Sequence, residues 1–431
     1  MSGKRLFFGW WVLFGIFMSY TALCGIQIYT LPLFYPELMK QFGWSAENVT
    51  RAATIFFLTG AILTPFVSSF FDRFSARVFM IAGAFATIIG LFSYSSLQTL
   101  TQMALIYMIF SMSQVCAGQV PTMLVVTRWF RRYRGIAVGI TLMGPDVGGA
   151  VFPLVVKYVL QNGGWRDALQ VLMVIAGVMM LIPLIFLIRS RPEDKGLLPD
   201  GALPEPERPI LPDQSAPDTG ITLKEALRMP IFYILAFATG SLWFCMNGVV
   251  QHQTIFMSSE LGITMDTLPV IVSTIFWFAI VGKLLIGYLS DHFDKILIMF
   301  VVVVALIAGL TILRFSSADH LPRLYGYAAV FGIGYSGTFT MIQLVIAEFY
   351  SGRSYGKILG VLTMVDVASG GIAITVIARM QETLNSYRPV IEVLIGLSCI
   401  VAVLVLFLYR MRRKIMHKTT IPQAGFAARE S

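Results

Sequence analysis

Lys283 lies inside an apolar run, 268–289, that holds no other charged side chain. A charge at the bilayer centre costs about 2.5–3.5 kcal/mol on insertion scales, so a chain keeps it where it faces a partner or a water-filled cavity. An ammonium in such a place is suited to receive an anion. A Lys that snorkels to the membrane edge, about two turns away, is the bland alternative. Three other titratable groups fall within apolar runs: Asp366, one helical turn beyond Leu362, then Asp146 and His252. Asp366 is expected to pair with Lys283, so that a carboxylate or a proton would compete for the same ammonium. Asp146 lies in Gly144-Pro145-Asp146-Val147-Gly148-Gly149, where the glycines permit close helix packing and the proline a bend. His252 sits in Gln251-His252-Gln253, and an imidazole titrates near neutral pH. All three are candidates for proton handling.

The elements that must hold these groups are membrane helices. Of 431 residues, 57% are hydrophobic and 13% charged, more apolar surface than a soluble domain of this length covers. A bilayer core is crossed by about 20 apolar residues. Twelve such spans are expected: 10–37, 49–71, 77–97, 102–129, 135–160, 166–188, 231–258, 267–290, 295–314, 323–349, 356–381 and 389–410. The first is expected to be retained, since no small-residue cleavage site follows a short apolar core. With the N-terminus in the cytoplasm, 23 of the 32 Lys and Arg fall on the cytoplasmic side and eight outside, as the positive-inside rule requires. The net charge of +9 is therefore a topology signal. No basic stripe with stacking aromatics points to nucleic acid. Cys24, Cys116, Cys245 and Cys399 all fall within spans, and no disulfide or metal site is expected of them. Phosphate-binding glycine loops, nucleophile elbows and paired catalytic carboxylates are absent, so neither an enzyme nor an ATPase is expected, and no cofactor.

The chain repeats at an offset of 219–221 residues. Phe42-Gly43-Trp44-Ser45 mirrors Leu261-Gly262-Ile263-Thr264, Asp72-Arg73 mirrors Asp291-His292, and Gly135, Gly139 and Met143 match Gly356, Gly360 and Met364. Six helices repeated in one orientation imply parallel repeats about an axis normal to the membrane. The expected organisation is an N-terminal six-helix bundle (1–188), a cytoplasmic linker (189–228), a C-terminal six-helix bundle (229–410) and a basic cytoplasmic tail (411–431). The linker is rich in Pro and acidic residues, a flexible composition. It ends in Thr222-Leu223-Lys224-Glu225, a capped amphipathic turn at the membrane surface. The tail is expected against anionic lipid.

The loop after span 2 reads Ser68-x-x-x-Asp72-Arg73-x-Ser75-x-Arg77. It resembles the Gly-x-x-x-Asp-Arg-x-Gly-x-Arg signature of the major facilitator superfamily, with serine at both glycine positions; the second copy keeps Gly287 and Asp291. The resemblance extends over nearly the whole chain and implies the major facilitator fold. It gives Asp72, Arg73, Arg77, Gly287 and Asp291 a role in conformational gating. Phe7-Phe8-Gly9-Trp10-Trp11, Gly25-Ile26-Gln27, Arg128-Trp129-Phe130 with Arg134-Gly135, and Lys283-x-x-x-Gly287-x-x-x-Asp291 resemble the monocarboxylate porter and oxalate:formate antiporter group. There a basic residue, usually Arg, binds the substrate carboxylate at the position of Lys283. Ala279, Tyr29 and Leu362 stand where group members carry further charged residues, so one cationic site remains, which favours a monoanion. In this fold the polar and aromatic residues of spans 1, 4, 7 and 10 line the cavity: Gln27, Tyr29, Gln119, Asn247, Gln251, Tyr335 and Phe339. Gln119 aligns with a substrate-contacting Tyr of the exchanger, and Phe339 is its mate at an offset of 220. The Gly-Pro-x-x-Gly-Gly element of span 5 resembles that of many antiporters of the superfamily.

The expected function is secondary active transport of a small carboxylate by alternating access, as proton symport or anion exchange. The expected setting is a cytoplasmic (inner) membrane, with both termini cytoplasmic and the protein monomeric. A proton-coupled drug exporter of the same fold is the alternative, separated by the sign of its substrate's charge. A non-transporting membrane sensor is a further one, against which the lack of a soluble signalling domain counts.

Overall fold

The structure, a computed structural model, describes residues 7–68, 75–201, 222–350 and 355–418. Asp72 and Arg73 lie outside the described residues. The described residues form helices and turns, with no strand among them. The long helices are α1 (Phe8–Phe42), α2 (Ala46–Ser68), α3 (Ala76–Ser95), α4 (Leu100–Trp129), α5 (Arg134–Leu160) and α6 (Trp165–Phe186). The second set is α7 (Pro230–Ser259), α8 (Leu268–His292), α9 (Lys295–Arg314), α10 (Leu321–Phe349), α11 (Tyr355–Leu384) and α12 (Tyr387–Lys418). Among the described residues, every one of these except α2 meets the length and apolarity needed to cross a bilayer in its described part. The chain is a multi-pass membrane protein. We call the side where α1 begins and α12 ends the terminal face, and the other the far face.

Two spans are interrupted where their sequence weakens a regular ladder. In α1 the regular helix stops at Cys24, passes through a π-turn, Gly25–Thr30, and a tighter turn, Leu31–Phe34, and resumes at Tyr35–Phe42. The Gly25 backbone presses on α5: a Cβ at Gly25 would meet Gly148 Cα at 2.5 Å. Pro32 and Pro36 lack the N–H that an even helix uses, and the span ends at Phe42, five residues beyond its expected end at 37. In α4 the ladder breaks at Gly118 (ψ −145°), and Gln119 opens the second segment. Turns repeat along with the helices. Gly43 and Gly262 both adopt φ of +67°, the left-handed conformation glycine tolerates at a helix end.

The linker is tied at both described ends. Trp129 donates to the Arg189 carbonyl at 2.8 Å, and the Arg131 and Arg132 amides donate to Asp200 at 2.9 and 2.7 Å. Thr222 caps Leu223–Ala226 in a reciprocal box with Glu225. The Thr222 amide and hydroxyl hold the Glu225 carboxyl below the usual range. All four cysteines are free; Cys399 is exposed on α12 and the other three are buried.

Candidate functional site

The six-helix units meet along two antiparallel junctions, α5 with α8 and α2 with α11. The α5–α8 junction is closed toward the far face. Gln161 donates to Asp266 at 3.4 Å, and Ser273 donates to the Ala150 carbonyl. The Phe276 ring fills the space a side chain at Gly149 would need. At the next level toward the terminal face, Lys283 Nζ donates to Asp146 Oδ2 at 2.5 Å and to the Leu142 carbonyl at 2.9 Å. It stands 5.4 Å from the Phe339 ring centroid of α10, within cation–π range. The Lys283 side chain is 15% exposed and that of Asp146 2%.

Beyond this pair the helices part. Gly139 and Gly135 lie two and three turns from Asp146, and Gly287 one turn from Lys283, each on the same helix face. A Cβ at any of the three would have nothing within 4 Å. The pair thus sits at the closed end of a crevice open to the terminal face. Gly360 of α11 also faces open space.

The pairing corrects the expectation that Asp366 would bind Lys283. Asp366 is buried on α11, its Oδ1 without a hydrogen-bond partner, with the Thr239 hydroxyl of α7 as its neighbour. The reason is which neighbour each helix faces. Asp146 lies on α5, across the junction from α8, whereas Asp366 faces a helix of its own unit.

The family profile of the Major Facilitator Superfamily matches residues 9–374, and again 253–430. The chain belongs to the Major Facilitator Superfamily. It is 31% identical over 171 residues to the fujikurins efflux protein of Gibberella fujikuroi, covering 39% of this chain and 36% of that one. It is 26% identical over 161 residues to monocarboxylate transporter 13 of Bos taurus, covering 37% and 38%. Each of these two matches covers well under half of either chain. Among solved structures, a bacterial homologue of the human lysosomal transporter Spinster, inward-facing and occupied, superposes with a TM-score of 0.72 at 15% identity. That superposition covers 94% of this chain and 98% of the other, a likeness of fold.

In this superfamily member several predicted cavity residues turn elsewhere. Gln27 donates to Thr87 and Ser113 at 3.0 and 3.3 Å, inside the first unit. Gln251 donates to the Ile28 carbonyl at 3.3 Å and accepts from Tyr35 at 3.2 Å, joining α7 to α1 near the far face. Thr254, which donates to the Pro32 carbonyl at 2.8 Å, adds to that contact. Asn247 packs against Gly370. Both His252 ring nitrogens are engaged, with the Tyr387 hydroxyl at 3.0 Å and the Ile374 carbonyl at 2.9 Å. Gln119 is exposed at the break in α4. Tyr29 and Tyr335 do meet, hydroxyl to hydroxyl at 3.1 Å across α1 and α10, and Phe339 lies beside Lys283.

The expected gating residues divide likewise. Arg77 donates to the Leu184 and Ile185 carbonyls at 2.7 and 2.6 Å, closing the end of α6 within its own unit. Asp291 is exposed, and Asp294 caps α9 instead, accepting from the Ile296 and Leu297 amides. Sequence reasoning passed over Phe276, Trp243 and Thr239. Phe276 carried a signal: it lies seven residues before Lys283, on the same helix face.

Proposed function

We propose that this chain is a secondary transporter of a small monocarboxylate, working by alternating access with Lys283 as its anion receptor. One observation carries the reading: an amine in the apolar interior of a span, away from its ends, is paired with Asp146 across the boundary between the units, at the closed end of an open crevice. An incoming carboxylate accepts from Nζ in place of Asp146 Oδ2. Asp146 would then be a buried carboxylate without a partner, a costly state. Taking up one proton from the crevice removes that cost. The loaded site then holds one anion and one proton, and the bond that tied the units is gone. Release toward the other side returns the proton and re-forms the pair. This is proton symport; anion exchange is the same cycle with the empty step omitted. The Lys-rich and Arg-rich terminal side fits a cytoplasmic face in an inner membrane.

The test is uptake of labelled monocarboxylates into proteoliposomes with and without an imposed acid-outside gradient. Asp146→Asn, a neutral stand-in for the protonated acid, should keep carboxylate exchange and lose gradient-driven accumulation. Lys283→Gln should lose both. If Lys283→Gln transports as the parent does, the assignment fails. The partial likeness to an efflux protein favours a second reading, proton-driven export of a drug-like molecule, which a cationic substrate in the same assay would select.

A further inference from the structure

We infer that the carboxylate received at Lys283 carries an aromatic or similarly flat apolar body and few hydroxyl groups, a step that rests on the carboxylate reading above. Five rings from four helices converge at the amine: Tyr29, Trp243, Phe276, Tyr335 and Phe339. Phe339 lies 5.4 Å from Lys283 Nζ, and Trp243 lies 5.9 Å from Phe339. Tyr29 packs on Phe276 at 4.2 Å, and Tyr335 packs on Phe276 at 6.2 Å. Tyr335 and Phe339 are one turn apart on α10, and Phe276 and Lys283 are two turns apart on α8, so the rings share the faces that hold the amine. Four of the five are half-buried, leaving ring surface to offer.

The polar side chains that a hydroxylated substrate would need are spent elsewhere. Gln251 and His252 have partners within the protein, the Gln27 amide nitrogen is bonded inside the first unit with its Oε1 buried, and Asn247 is packed on Gly370. What the crevice end presents is one ammonium, one carboxylate, the Tyr29–Tyr335 hydroxyl pair and ring faces; the Thr21 and Ser336 hydroxyls nearby are buried against Gly144 and Gly282. A substrate with several hydroxyls would leave them without partners, and a dianion would place its second charge among rings. A single carboxylate on an aryl or arylalkyl body matches each of these groups.

The experiment is a binding ladder on the purified full chain by calorimetry. The probes are acetate, benzoate, phenylacetate, 3-phenylpropionate, succinate and phenethylamine. Burying one ring should make the best aryl carboxylate about tenfold to a hundredfold tighter than acetate, with succinate no tighter than acetate. Phe339→Ala should reduce the aryl preference to about threefold or less, and Phe339→Leu, which keeps apolar volume, should fall between. Should the alanine variant not fold, the leucine variant and the wild-type ladder decide. Equal binding of acetate and the aryl acids, or tighter binding of succinate, overturns the inference and leaves the carboxylate reading intact. Binding of phenethylamine with no carboxylate binding at all overturns both.

Discussion

The two junctions between the units are built on one plan and differ at one level. Nearest the far face, Gln161–Asp266 on the α5–α8 side corresponds to Arg379–Glu47 on the α11–α2 side. One level in, the repeat mates Ser273 and Thr54 each bond across their junction, Ser273 to the Ala150 carbonyl and Thr54 to Thr375 at 2.9 Å. Then Phe276 against Gly149 corresponds to Phe57 against Gly371. Asp146 and Asp366 continue the correspondence, 220 residues apart. At the fourth level it fails. Thr64 stands 219 residues before Lys283, and its hydroxyl bonds its own helix at the Gly60 carbonyl, 2.7 Å away. One acid therefore has an amine across the boundary, and the other has only a neighbouring hydroxyl. Three matched levels make the two junctions alike; the fourth gives one of them an ammonium, on which the proposed anion site rests.

The largest expected effect comes from erasing the difference. Lys283→Gln should abolish carboxylate exchange and lower stability by about 3–5 kcal/mol, because it leaves Asp146 buried without its partner. Thermal unfolding should show that loss, and adding Asp146→Asn should recover most of the stability without recovering transport. Next is copying the difference to the other side. Thr64→Lys should give Asp366 a partner, tie α2 to α11 and slow exchange about tenfold, a coupling of ordinary size; Asp366→Asn in that background should restore the rate. A Thr64→Lys protein that exchanges at the parental rate would break the correspondence. Smaller again is Asp366→Asn alone, which should leave carboxylate affinity by calorimetry unchanged, since Asp366 does not touch Lys283. Smallest is Glu47→Gln, which removes an exposed pair at the far face. It should change the exchange rate less than about fivefold, as an ion pair worth under about 1 kcal/mol would.

Apolar run lengths and the offset repeat made the helices, their order and their doubling legible. Lys283 was legible because a lone charge in hydrocarbon needs a reason. Its partner was not. Asp146 and Asp366 sit in matching positions of equivalent helices, and choosing between them requires knowing that α8 lies against α5, a contact that periodicity within one helix does not encode. The partners of Gln27, Gln251 and His252 were hidden for another reason. A polar residue in a membrane helix reads the same whether it faces a crevice or a neighbouring helix that offers a hydroxyl or a carbonyl. Thr87, Ile28 and Ile374 gave these side chains their partners, and none of the three stands out in sequence. The distortions of α1 and α4 were hidden too: Pro32 and Gly118 permit a break, but the close approach of Gly25 to Gly148 is a tertiary fact.

The two apolar-on-glycine contacts, the Phe276 ring on Gly149 and the Phe57 Cβ with the Leu58 side chain on Gly371, bear on how two units of this kind would turn past each other. Hydrocarbon against bare main chain has no hydrogen bond to surrender along the way. In the proposed cycle the resistance to rocking would therefore lie in the polar bonds around these two contacts, where a solute or a proton could act on it.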